Sequence, residues 1–408
     1  MQDMENNQNK NHFWKGALCG ALAMFLVVAL VFGAMNIFGI RIGDLYSNKS
    51  AKTSNIDHKL DGLKQLMDEY YLYSDDVTEQ DIEDGLCTGF IGSLGDPYSV
   101  YYDKEGTKSF QEASSGEYVG IGAVMSQNLK TNLITISQVY ENSPAMEAGI
   151  KDGDILYKVD GEEILDQAVS DVVNKIRGEA HTKVEITVLR GEDREEITVE
   201  ATRDTVQVET VVSDMMDDDI GYIRITEFDE VTYEQFEEKY NKLNEEGMEG
   251  LVVDLRSNPG GSLLTVTQIL DLLLPEGKIV YTQDKHGNQE VINSDAENQF
   301  EKPIAVLVNE HSASASEIFA GAIQDYEMGP IVGTTTFGKG IVQRVFSLKD
   351  DTTVTLTIAE YFTPNGRNIH KKGIVPDVEV EFEFDEEDPT ADNQLDQALE
   401  EVENQITE

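Results

Sequence analysis

Apolar segments of strand length alternate with segments of helix length across residues 205–380, which predicts an α/β core with a mixed sheet. Three observations carry this. Strand-like runs at 220–225, 251–255 and 304–308 alternate with helix-like runs at 233–243, 263–274 and 318–326. Two antiparallel-type strands, 342–348 and 353–359, follow and meet at Asp350-Asp351, so the sheet is not all parallel. Ahead of this core lies a compact unit of short strands, 117–204, broken by turn dipeptides.

Within that unit, strands are expected at 118–125, 133–139, 154–159, 183–189 and 195–201, with a helix near 168–176. Ser143-Pro144, Asp160-Gly161 and Gly191-Glu192 supply the turns. Nearer the start, 56–73 places Leu60, Leu63, Leu66, Met67, Tyr70 and Tyr71 near the helical period, and a second helix is expected at 79–91. Residues 41–116 are thus a linker and helical region, and 16–40 is a run of 25 residues without a charge. That length crosses a bilayer as one helix. A cleaved signal peptide has a shorter apolar region, and Cys19 does not sit in a lipoprotein context. An uncleaved anchor is expected, behind a short tail of residues 1–15. Lys10 and Lys15 precede the span, but Arg41, Lys49 and Lys52 follow it, so charge does not orient it.

With 31 basic against 78 acidic residues, the net charge is −47. Nucleic acid is excluded as a partner on this ground, since phosphate binding needs clustered Lys and Arg. Cys19 lies in the span, so Cys87 has no intrachain disulfide partner. The end of the chain, 381–408, reads as an acidic tail: a solvated linker at 385–389, then a helix at 392–407 with Leu395, Ala398, Leu399 and Val402 on one face.

Chemistry concentrates in three segments. Ser314 lies in His311-Ser312-Ala313-Ser314-Ala315-Ser316-Glu317, between the strand 304–308 and the helix 318–326. A strand-turn-helix of this kind presents a hydroxyl beside free helix N–H groups. Lys339, in Phe337-Gly338-Lys339-Gly340, stands alone among apolar neighbours, where desolvation favours the neutral amine. A neutral lysine beside a serine activates a weak nucleophile. The third segment, Asp254-Leu255-Arg256-Ser257-Asn258-Pro259-Gly260-Gly261, runs from a buried strand into a turn whose glycines let backbone N–H groups approach an oxyanion. Each has a plainer reading. Ser314 and Glu317 also form a helix capping box, Lys339 fits a solvated loop, and Pro-Gly-Gly is a common strand-to-helix connection. His311, three residues from Ser314 in the same turn, is badly placed to serve as its base and is expected only as a neighbour.

Together with Gly366-Arg367-Asn368 through Val375-Pro376-Asp377, these segments resemble the carboxy-terminal processing protease family, the tail-specific serine peptidases, over residues 55–381. The resemblance implies a core of the ClpP/crotonase-like type and makes Ser314 the nucleophile, Lys339 the general base and Gln343 the residue orienting it. The backbone N–H of Ala315 and of Gly260 or Gly261 would form the oxyanion hole. His311 and Ser262 depart from the family's commonest pattern. The unit 117–204 resembles a PDZ domain, with Gly120-Ile121-Gly122 as its carboxylate-binding loop.

The expectation is therefore a membrane-anchored, extracytoplasmic serine endopeptidase, without cofactor or metal. It would act on proteins or peptides with free C-termini and assemble as a homodimer or higher oligomer through its N-terminal helices. A silent PDZ scaffold would have no reason to keep serine, lysine and glutamine together. A crotonase-type acyl-CoA enzyme would have no use for the PDZ unit.

Overall fold

A computed structural model describes residues 54–295, 297 and 299–407. The expected anchor at 16–40 and the tail before it lie outside the described residues. Among the described residues, no helix is long and apolar enough to cross a membrane.

The chain forms two units that divide after Ile82. In the first, the helix Ser54–Tyr70 matches the expected period, and Lys64 pairs with Glu79 at 3.5 Å. Its Leu63, Leu66 and Tyr70 are exposed.

The second unit is built on a six-stranded sheet in the order Val211–Met215, Ile220–Ile225, Gly250–Asp254, Ile304–Val308, Ile331–Gly333, Val378–Glu379. The first pair is antiparallel and the rest parallel, which is the expected mixed sheet. Both faces are covered, which explains the unbroken apolar runs. Leu251, Val253, Ile304 and Val306 face one core with Phe236, Leu270 and Phe319 from the helices Thr232–Glu246, Leu263–Asp271 and Ala315–Asp325. Val252, Ala305 and Leu307 face the other core, with Ala398 and Val402 of the last helix, Asn393–Thr407.

That last contact corrects the reading of 381–408 as a tail. Its helix is part of the core: a Cβ on Gly250 would stand 2.3 Å from Val402. Arg256 fastens it further, bridging Asp254 and Asp392 at 2.7 Å each. The expected helix and its apolar face both form; the difference is that this face packs into the core.

A second sheet joins Val100–Tyr102, Thr353–Phe362, Gly277–Asp284 and Gln289–Ser294, with Ile341–Ser347 also on Thr353–Phe362. The hairpin 277–294 was not anticipated, because its strands are largely polar and half exposed. Nor was the helix Lys104–Ser115, which Asp103 caps through the Gly106 N–H at 2.7 Å.

The inserted unit is a sheet in the order Ala123–Gln127, Ile134–Val139, Ile155–Val159, Lys183–Arg190, Glu195–Thr202 around its own core, including Ile136, Leu156, Val172 and Ile186. The strand expected at 118–125 is in fact two. Gly122 takes a positive φ of 76°, and Glu117–Gly120 leaves to pair with Asp204–Gln207 where the chain exits the unit.

Candidate active site

The Gly-Gly turn and the serine turn are locked together by Asn258, which is fully buried. Its amide donates to Ile225 O at 2.9 Å, its side-chain oxygen accepts from Gly260 N–H at 2.8 Å, and its carbonyl accepts from Ala313 N–H and Ser316 Oγ at 3.0 Å. Nothing in the sequence marks Asn258 beyond its place before Pro259.

The three serines at alternate positions divide their labour. Ser312 donates its hydroxyl to Leu255 O at 2.8 Å, Ser316 is spent on Asn258, and both are fully buried. Ser314 is half-buried and lines a cleft of about 630 Å³. It heads the helix Ala315–Asp325 at φ 55° and ψ −110°, a conformation that costs a non-glycine residue roughly 1–3 kcal/mol. Such strain is kept where the surroundings over-determine it.

Here they do, through Glu317. This carboxylate is fully buried, and its Oε2 accepts from Ser314 N–H at 2.9 Å and from Lys339 N–H at 2.8 Å. Its Oε1 accepts from Gly338 N–H at 2.7 Å and from the Thr336 hydroxyl at 2.6 Å. The sequence showed Glu317 only as a helix cap; it is also the clasp between the serine and lysine turns.

The glycines beside Lys339 answer to close packing. A Cβ on Gly338, whose φ is 88°, would stand 2.9 Å from Lys372 N, and one on Gly340 would stand 2.6 Å from His370 N. The segment 366–377 therefore serves as the outer wall of the lysine turn. Lys339 Nζ lies 4.7 Å from the centroid of the Tyr98 ring. Burial lowers the lysine's pKa, against the opposing charges of Glu317 and Asp96. Gln343 lines the same cleft; its amide donates to Thr357 Oγ1 at 3.2 Å, and it forms no hydrogen bond to Lys339 among the described residues.

Gly260 lies directly against the serine: an added Cβ would meet Ser314 Cβ at 2.7 Å and Ala315 N at 2.9 Å. Because Gly260 gives its own N–H to Asn258, of the two glycines only Gly261 keeps an N–H without a partner among the described residues. Ala315 N–H is likewise unclaimed there. Ser262, the departure from the family pattern, caps the helix Leu263–Asp271 through Thr265 N–H at 3.2 Å.

His311 does not join the site. Its side chain is 68 % exposed, lies 3.5 Å from Glu310, and is not among the cleft residues, so its expected place as an active-site neighbour is not met. In the inserted unit, Ile121 is buried and its carbonyl accepts from Ala145 N–H at 2.7 Å. The Tyr118 ring packs on the loop, since a Cβ on Gly120 would stand 2.7 Å from it, and burial pushes its phenol up to about 12. Among the described residues no group of side chains is arranged to hold a metal ion.

The comparisons agree with this architecture. Residues 219–380 match the model of peptidase family S41, 135–190 a PDZ domain, and 18–106 the N-terminal domain of the activating protease CtpB. The carboxy-terminal processing protease CtpA of Bacillus subtilis (strain 168) is 39 % identical, covering 88 % of this chain and 76 % of its own. A CtpA-like serine protease of Staphylococcus aureus (strain COL) is 34 % identical over 93 % of this chain and 76 % of its own. A solved Bacteroides fragilis protein assigned to the S41 proteases shares the fold, with a TM-score of 0.50 at 17 % identity, over 83 % of this chain and 96 % of that one. The chain belongs to peptidase family S41 and is a serine-type C-terminal processing protease with a PDZ domain.

Proposed function

We propose that this protease works through a Ser314–Lys339 dyad, and that the shared Glu317 clasp is the observation that carries the reading. It fixes both turns by their backbones at the lip of one cleft, and burial keeps the lysine ready to be neutral. Lys339 Nζ takes the proton of Ser314 Oγ as the oxygen attacks the scissile carbonyl. The oxyanion is received by the N–H groups of Ala315 and Gly261. The lysine then returns its proton to the leaving amine, leaving an ester on Ser314. Water gives a proton to Lys339 as its oxygen adds to the ester, and Lys339 passes that proton to the departing Ser314 Oγ, which releases the acid and restores both residues. Gln343 is the positioning residue, its side-chain oxygen being free to receive the lysine.

The PDZ unit recognises the substrate's free C-terminus through the loop at Gly120-Ile121-Gly122, and gates the cleft as well as feeding it. The Tyr118 ring, which lies against Gly120 of that loop, supports gating, because an entering peptide end would have to move it. The apolar run 16–40 anchors the chain in the cell membrane with the catalytic body outside. The exposed Leu63, Leu66 and Tyr70 support self-association through the N-terminal helix.

Kinetics on protein lacking residues 1–41, with one peptide carrying a free and an amidated C-terminus, test the reading. Faster cleavage of the free form, abolished by Ser314→Ala, is expected. Equal rates for both forms would remove the PDZ role, and cleavage surviving Ser314→Ala would remove the dyad.

A further inference from the structure

The cleft has a second polar wall that the dyad does not use, formed by Glu227, Asp229 and Glu230. Phe228, between the first two, donates its N–H to Gly260 O at 2.9 Å and accepts from Ser262 N–H at 2.7 Å. The acidic segment therefore runs directly alongside the turn that carries Gly261.

Asp229 is the unusual member. The residue is only 5 % exposed, and among the described residues its carboxylate has neither a hydrogen bond nor an ion pair, though its oxygens are not fully shut off from solvent. Its backbone is nonetheless firmly held. Its N–H donates to Thr232 Oγ1 at 2.9 Å, and the next N–H, of Glu230, donates to Ser114 O at 3.2 Å. Gly116 makes the seat possible, since a Cβ there would stand 3.0 Å from Asp229 Cβ and 2.6 Å from Val231. Burial, with Glu227 adding to it, pushes the Asp229 carboxyl up to about 7, the behaviour of a group short of a counter-charge. Burial raises Glu227 as well. Lys339 is the only cation lining the cleft among the described residues, and its proposed role needs it neutral. A nearly buried carboxylate that lines a substrate cleft and has no protein partner is a place where a ligand supplies the missing charge.

We propose that Asp229, backed by Glu227, is a specificity-determining residue that receives a cationic side chain, lysine or arginine, of the substrate close to the scissile bond. An ammonium or guanidinium gives the carboxylate the charge-assisted hydrogen bonds that it lacks. A metal ion fits less well, because the three acids do not converge as a ligand set. This inference rests on the Ser314 site proposed above.

Peptides that differ at one position on either side of the cleaved bond, carrying arginine, neutral citrulline or glutamate, test it on the full-length chain. At one position the wild type should favour arginine over citrulline by about tenfold or more in kcat/KM, with glutamate slowest. In Asp229→Asn the arginine-to-citrulline ratio should fall to within about twofold of unity, since the amide carries no charge. Glu227→Gln should lower it severalfold, and stands in if the first variant does not fold. A wild type indifferent to charge at every position overturns the proposal, as does an unchanged ratio in a folded Asp229→Asn. Cleavage that persists in Ser314→Ala would instead overturn the dyad, so the two failures read differently.

Discussion

Ser314 and Lys339 donate their backbone N–H groups to the same oxygen, Glu317 Oε2, at 2.9 and 2.8 Å. The two turns come from segments separated by a helix and a strand, so this shared acceptor makes their spacing a property of one buried side chain. A carboxylate suits the task because it only accepts, and all four groups around it are donors.

Replacing that acceptor should therefore damage the site more than the loss of a helix cap alone would. Glu317→Gln turns an NH₂ group towards N–H donors and leaves buried groups unpaired, at a cost of about 2–4 kcal/mol. Thermal unfolding should show a lowered Tm, and kcat should fall by about a hundredfold or more as the turns separate. Wild-type kcat in a folded Glu317→Gln would mean that the clasp is not needed for catalysis.

Burial lowers the pKa of Lys339, and the sign of the pH dependence follows. The base must be neutral, so kcat/KM should rise as pH rises through the lowered pKa. The unfolded chain holds this proton to higher pH than the folded one, so stability also rises with pH between the folded and unfolded values. Lys339→Arg should abolish turnover, because a guanidinium does not release its proton. A pH–rate profile that falls through neutrality would contradict a lysine base.

Gly260 separates close packing from donor chemistry. Its N–H is already given to Asn258, but a Cβ would press on Ser314 and Ala315 at 2.7 and 2.9 Å. Gly260→Ala, at a φ of 105°, should lower the Tm and, in the protein that folds, lose about a hundredfold in kcat with a smaller change in KM, since it shifts the nucleophile and its neighbouring N–H. Steady-state kinetics check this; an unaltered kcat would show that the serine turn yields freely. Gly122 is a poorer probe of its loop, because a side chain there would lie 2.4 Å from Ser143 at a φ of 76° and disturb the fold itself.

Much of this was legible in the chain. Continuous apolar strands marked the central sheet because both of its faces are buried, and the serine and lysine turns stood out by their glycines and small residues. What was hidden depends on contacts distant in sequence. Asn258, Ser312 and Ser316 look like ordinary polar turn residues until their buried carbonyl partners are seen. The last helix and its apolar face were legible by period, but not that Ala398 and Val402 would meet Val252 and Leu307, strands far away in sequence.

That helix makes its own prediction. Arg256 neutralises Asp254, which is fully buried, and holds Asp392 at 2.7 Å. Arg256→Ala strands the Asp254 charge and should cost about 3–5 kcal/mol in denaturant unfolding. A loss under about 1 kcal/mol, the scale of a surface ion pair, would show that the helix is not fastened through this arginine.

The central claim, that serine and lysine act as one unit, is tested most directly by a single set of rates. One peptide and four proteins suffice: wild type, Ser314→Ala, Lys339→Ala and the double variant, each checked for folding by thermal unfolding. Each single change should abolish measurable cleavage, and the double variant should be no slower than either alone, because removing one partner already disables the other. Lys339→Ala turning over within about tenfold of the wild type would contradict the dyad, since general-base catalysis is worth at least about a hundredfold.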